Sequence, residues 1–205
     1  FGMDRLNFGE IEGYYATECG NVLGLGGAFF AAILASAMLS KEERQKTAEF
    51  LLTHPITRKR VVTEKLIAVI VQIAALNLVV FILAMAAVAM IGETVPIKEA
   101  GLLHIAYLLM QLEIAGICFG ISAFMSRGSI GVGLGLAAVL YVLSIIANIA
   151  DSVKFLNYVT PFGYCEGANI VNDLALDWPK IAIGMGVCVI CIIAAYWKYT
   201  RKDIR

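Results

Sequence analysis

The chain has 205 residues, of which 60% are hydrophobic and 16% charged, with a mean hydropathy of +0.82. Soluble domains carry nearer ~25% charged residues, and one core of this size cannot hide so many apolar side chains, so a water-soluble fold is excluded and the bilayer is the solvent. Sixteen Lys and Arg balance sixteen Asp and Glu, which removes the global positive field that nucleic-acid binding requires.

Residues 1–20 are mixed and mildly acidic, with Asp4, Glu10, Glu12 and Glu18 against Arg5. No basic start leads into an apolar run, so the stretch is not a signal peptide. Five segments then meet the ~20-residue requirement for crossing the hydrocarbon core: 21–39, 66–91, 100–125, 129–150 and 181–197. The last is short and closes on Tyr196, Trp197 and Tyr199, an interfacial aromatic anchor. The expected fold class is all-α integral membrane, a helical bundle forming a single transmembrane domain over 1–205.

Lys and Arg sort the loops into two sets. One set holds twelve: seven within 41–65, then Arg127, Lys198, Arg201, Lys202 and Arg205. The other holds four: Arg5, Lys98, Lys154 and Lys180. This bias predicts a cytoplasmic 40–65 hairpin and 198–205 tail, with 1–20, 92–99 and 151–180 outside. An external start without a signal peptide, in a chain that opens on Phe1, predicts a further helix upstream. The expectation is six transmembrane helices with both ends cytoplasmic, five of them visible here.

Glycines at four-residue spacing, Gly20/Gly24, Gly116/Gly120 and Gly131/Gly135, let helix backbones approach in lipid, and packing within one chain is the favoured use. Cys188 and Cys191 form a C-x-x-C inside a span, where a thiol behaves as a small hydrophobe. Cys19 and Cys165 have the placement to meet outside the membrane. No His, Cys and acid cluster accompanies His104, which reads as interfacial and not as a metal ligand. Glu113 stands near the middle of 100–125. A central carboxylate costs ~2.5–3.5 kcal/mol on insertion scales, so it faces the bundle, a partner or water, or is protonated. It reads either as a proton relay or cation-attracting pathway, or as a neutral acid bonded to a neighbouring helix near Gln72 or Asn77. Residues 155–178, broken by Pro161, Gly163 and Gly167, are long enough to form short external helices capping the bundle.

The charged island at 40–65 has internal order. Ser40 with Glu43 reads as a capping box, and Glu42 with Lys46 as a favourable four-apart pair. A helix is expected over 41–52 until Pro55 constrains His54 away from helical geometry. A second helix then starts at Pro55 or Thr57 and runs through Val61 and Val62 into the next span. A bent, stiff element joined to two spans transmits force; a slack loop does not.

The run ERQKTAEFLLTHPITRKRVVTEK, with Thr47, Glu49, Leu51, Leu52, Pro55, Ile56, Thr57, Arg58 and Lys65, resembles the cytoplasmic segment of type-2 (ABC-2-like) ABC exporter permeases. Lys46 stands where that family usually has Gly. The run FLNYVTPFGYCEGANIVND, with Thr160, Pro161, Phe162 and Tyr164, is similar to the stretch before the family's last helix. The resemblance implies a permease subunit in a bacterial or archaeal cell membrane, exporting a substrate with energy from a separate ABC ATPase. It implies a second permease copy, homo- or heterodimeric, in contact with membrane lipid, and no nucleic acid. Lys41, Glu42, Glu43, Arg44, Thr47, Glu49 and Leu52 would form the coupling helix, with His54, Pro55 and Arg58 as its elbow. No G-x-x-x-x-G-K-[ST] occurs in the chain, so no catalytic residue, cofactor or metal is expected on it; ATP and Mg belong to the partner. The alternative is an ion- or proton-coupled secondary transporter using Glu113. A non-transporting membrane scaffold that recruits a partner through the hairpin is a third reading.

Overall fold

The computed structural model describes residues 11–41, 45, 56–94, 96–125, 130–149 and 151–201. Among them the elements are α1 (Ile11–Cys19), a π-helical turn (Gly20–Gly26), α2 (Gly27–Ser36), α3 (Arg58–Met90), α4 (Ile97–Phe124) and α5 (Ile130–Ile149). Two 3-10 helices (Asp151–Tyr158 and Pro161–Tyr164), α6 (Gly167–Asp173) and α7 (Trp178–Arg201) complete the order, and no strand is present among the described residues. Five helices are long and apolar enough to cross a membrane, counting Ile11–Ser36 as one. The protein is an all-α integral membrane bundle.

The first of these helices is already formed at Ile11, ten residues before the charge-free segment, and ends at Ser36 instead of residue 39. Gly13, Tyr15, Ala16 and Cys19 are buried, while Glu12 and Glu18 lie off that packed side. A search for charge-free windows therefore cuts short a helix that buries only one face.

Helix α3 has 33 residues, about 50 Å at ~1.5 Å per residue, against ~30 Å of hydrocarbon. It begins eight residues before the apolar segment at 66. Thr57, extended at φ −74° and ψ 144°, caps it by accepting from the Arg60 N–H at 3.3 Å. Arg60 and Glu64 pair on the exposed side at 2.7 Å. The charged 58–65 turns are thus one rigid piece with the span. At the other end Gly92, at φ +79°, donates to the Ala89 carbonyl and turns the chain out of the helix.

Helix α4 is the hub. It buries 16 of its 28 residues and packs against α1, α2, α3, α6 and α7. Its tightest seam is with α7. Gly116 faces Cys188, and a Cβ at Gly120 would stand 2.9 Å from Cys191 Cβ and 3.0 Å from its carbonyl oxygen. The C-x-x-C is thus one ridge of a close helix contact, with free thiols, and Cys188 donates to the Leu112 carbonyl at 3.5 Å. Gly24 likewise receives the Tyr107 ring, 3.1 Å from where its Cβ would be. The third expected glycine pair differs: Gly131 and Gly135 are exposed, and the α5–α2 seam uses Gly133, set against Ser36 and the Ala32 carbonyl. The smallest side chain on the inward face decides the contact, and a four-residue spacing does not say which face is inward.

Gly120→Ala is therefore expected to destabilise the bundle by about 1–3 kcal/mol, because backbone blocks the new methyl. Gly135→Ala, with nothing within 4 Å, is expected to be neutral. Thermal unfolding of the two variants in one detergent checks the difference.

Candidate functional site

Within its apolar span α4 carries His104, Tyr107 and Gln111 at steps of three and four residues, with Ser122 eleven residues (three turns) further on, and all four are buried. Water is not available there to satisfy them, and each reaches a different neighbour. Gln111 donates to the Leu23 carbonyl at 2.9 Å and accepts from Asn77 at 2.7 Å. Leu23 lies in the π-helical turn, where the widened backbone turns carbonyls away from the regular ladder. Gly27 leaves the room; a Cβ there would overlap the Gln111 amide. One amide thereby joins the first helix, α3 and α4.

His104 Nε2 is 2.8 Å from the Tyr15 hydroxyl and 3.7 Å from Cys19 Sγ, and the Phe81 ring meets the imidazole edge-on at 5.0 Å. The interfacial expectation for His104 is thus replaced by a buried one, because α1 extends far enough to cover it. Ser122 accepts from the Leu39 N–H at 3.3 Å, fixing the start of the 37–57 connection.

Glu113 points away from this row, towards α7. It is 3% exposed, its carboxylate fills the space left by Gly184, and it accepts a 2.9 Å hydrogen bond from the Tyr164 hydroxyl. Neither sequence-derived neighbour is its partner. Asn77 is bonded to Gln111 and to the Ile73 carbonyl, and Gln72 is exposed and bonded to the Ala68 carbonyl. Burial pushes the Tyr164 phenol well above its usual range, helped by Cys165 and Glu113 beside it, so Tyr164 serves as a donor throughout the physiological range.

The T-P-F-x-Y turn that supplies this phenol is anchored residue by residue. Thr160 donates to the Leu140 carbonyl at 2.9 Å and accepts from the Phe162 N–H, capping the 3-10 helix that Pro161 opens. Phe162 packs edge-on against Tyr141 at 5.5 Å. A Cβ at Gly163 would overlap the Asn157 carbonyl. Cys165 donates to the Ala106 carbonyl at 3.4 Å and accepts at its own carbonyl from Tyr107 at 3.1 Å; both Cys19 and Cys165 are free thiols.

At the opposite end of α4 the base of the charged hairpin is stapled down. Lys65 donates to the Met38 carbonyl at 2.6 Å, Thr63 and Tyr196 hydroxyls are 2.8 Å apart, and Val61 and Val62 are buried. Ser40 is buried, its hydroxyl directed at the Ala37 carbonyl. Of the expected partner-binding residues, Lys41 is exposed and Arg58 is the first residue of α3. Glu42, Glu43, Arg44, Thr47, Glu49, Leu52, His54 and Pro55 lie outside the described residues.

The sequence profile of the ABC-2 family transporter protein matches residues 17–204. The chain belongs to the ABC-2 transporter family. Comparison with curated protein sequences finds no match. The protein is a multi-pass membrane protein, the permease component of an ABC transporter, a family that associates with an ABC ATPase. Among its described residues no group of three or more His, Cys, Asp and Glu is placed to hold a metal ion.

The polar row of the permease had a signal that sequence reading passed over: His104, Tyr107 and Gln111 recur at helical spacing. The Glu113–Tyr164 bond had none, being 51 residues apart. Tyr164→Phe is expected to cost about 1–3 kcal/mol by stranding a buried acceptor, while Glu113→Gln, which keeps the acceptor, costs less. Unfolding midpoints in detergent check this; an unchanged Tyr164→Phe midpoint would show that the bond adds nothing.

Proposed function

We propose that this permease exports its substrate with energy from ATP and Mg bound by a separate ABC ATPase, and that residues 40–65 are the coupling element seated on that ATPase. The observation that carries the reading is the continuity of α3. The charged turns at 58–65 and the span that follows are one helix, and their base is bonded to Met38 and Tyr196. A displacement of the hairpin is thereby delivered to α7, and through the Leu39–Ser122 bond to α4, without slack. Family membership and the likeness of 43–65 to exporter coupling segments support the same reading. In it the hairpin and the C-terminal tail face the cytoplasm, the 151–177 cap faces outward, and two permease copies share the membrane. Lys41, Glu42, Glu43, Arg44, Thr47, Glu49 and Leu52 contact the ATPase, with His54, Pro55 and Arg58 at the elbow. Glu113 belongs to the transport pathway, its carboxyl held by the outward cap through Tyr164.

Charge reversal at Glu42, Glu43 or Glu49 is expected to lower substrate flux per ATP by about tenfold or more, as loss of ~1.4 kcal/mol or more of contact implies. The measurement is paired ATPase and flux assays on the complex in proteoliposomes. The competing reading, proton- or ion-coupled transport through Glu113, is favoured by a buried carboxyl with no cation beside it among the described residues. It requires that Glu113→Gln abolish pH-dependent flux while the hairpin variants behave as wild type.

A further inference from the structure

Between α5 and the Pro161–Tyr164 turn lies a cavity of about 150 Å³, the size that accommodates a benzene ring. Three of its walls are aromatic: Tyr107, Tyr141 and Phe162. Tyr141 and Phe162 meet at 66° with centroids 5.5 Å apart, and the Tyr107 hydroxyl is already engaged by the Cys165 carbonyl. Three rings thus border the space, and the polar residues of the lining are Ser144, Asn148, Cys165 and Glu166.

Glu166 supplies the charge. Its carboxylate accepts from the neutral Asn169 amide at 2.9 Å and makes no ion pair among the described residues. The nearby Lys180 is matched already, 2.6 Å from Asp177 and over the Tyr158 ring. A second cavity, of about 250 Å³, shares Glu166 and also takes Asn169, the partner of its carboxylate, as walls, so Glu166 stands between the two spaces.

A carboxylate with no counter-charge among the described residues, set beside three aromatic rings, is the arrangement that attracts an organic cation. Hard metal cations want six or more oxygen ligands, which this lining does not offer, and anions are repelled. The mouth adds a direction. Ile145 and Ile149 line it on the outer side of α5, 40% and 80% exposed, giving an alkyl chain an apolar track away from the charge. We propose that this cavity binds the ammonium group of an amphiphile, with Glu166 as counter-charge and Tyr107, Tyr141 and Phe162 as the cage. The ammonium comes either from a lipid headgroup or from a free amphiphilic solute. The site does not depend on how the permease is driven.

The test is choline binding, by calorimetry, to the intact permease complex in phosphatidylglycerol nanodiscs, against the neutral isostere 3,3-dimethylbutanol. Choline is expected to bind and the isostere not. Glu166→Gln keeps the bond from Asn169 and is expected to weaken choline about tenfold or more, as loss of a charge partner does; Tyr141→Leu is expected to weaken it less. In phosphatidylcholine nanodiscs, a loss of choline affinity identifies the lipid headgroup as occupant, and an unchanged affinity identifies a free solute. Equal binding of the isostere, unaltered affinity in a folded Glu166→Gln, or no choline binding to the folded complex overturns the proposal.

Discussion

A carboxyl group inside an apolar bundle has to find a donor, and Glu113 finds the hydroxyl of Tyr164. Much of the capped half follows from that bond. Gly184 is needed because the carboxylate occupies the space where a side chain of α7 would be. Thr160, Pro161 and Gly163 are needed because the phenol must be presented from a short turn that cannot drift. Phe162 and Cys165 then hold the turn on α5 and α4. A motif of five residues is explained by the one hydroxyl that it positions.

The same logic repeats along α4. The buried polar side chains of this row satisfy backbone or side-chain groups of other elements: Tyr15 of α1, Leu23 of the π turn, Asn77 of α3, Cys165 of the cap and Leu39 beyond α2. In lipid the hydrophobic effect does not distinguish a neighbouring helix from an acyl chain, so close packing and hydrogen bonds decide which helices stay together. The glycines serve the first of these and the polar row the second. One central helix thus holds both the cap at one end and the base of the hairpin at the other.

This arrangement bears on mechanism. In the proposed cycle the hairpin receives the motion of an ATPase, and a slack joint anywhere along the route would dissipate it. The route has none at its described steps: Thr57 starts α3 sharply, Lys65 and Thr63 fasten its first turns, and the Gly116–Cys188 and Gly120–Cys191 contacts lock α4 to α7. The cap, with its two cavities, stands at the far end of that rigid path.

The sequence by itself determined the all-α membrane class, five spans, a helix beginning near Thr57, and the family resemblance. Each of these rests on local hydropathy, on capping chemistry or on short motifs, which act over a few residues. It did not extend the first helix back over 11–20, because Glu12 and Glu18 interrupt a hydropathy window without interrupting a one-sided packing face. Only the tertiary structure decided that Glu113 bonds Tyr164 instead of Asn77, that His104 is buried under Tyr15, and that Gly133 and not Gly131 or Gly135 faces α2. Those outcomes depend on the rotation of each helix about its axis, which is fixed by side chains on other helices far away in the chain.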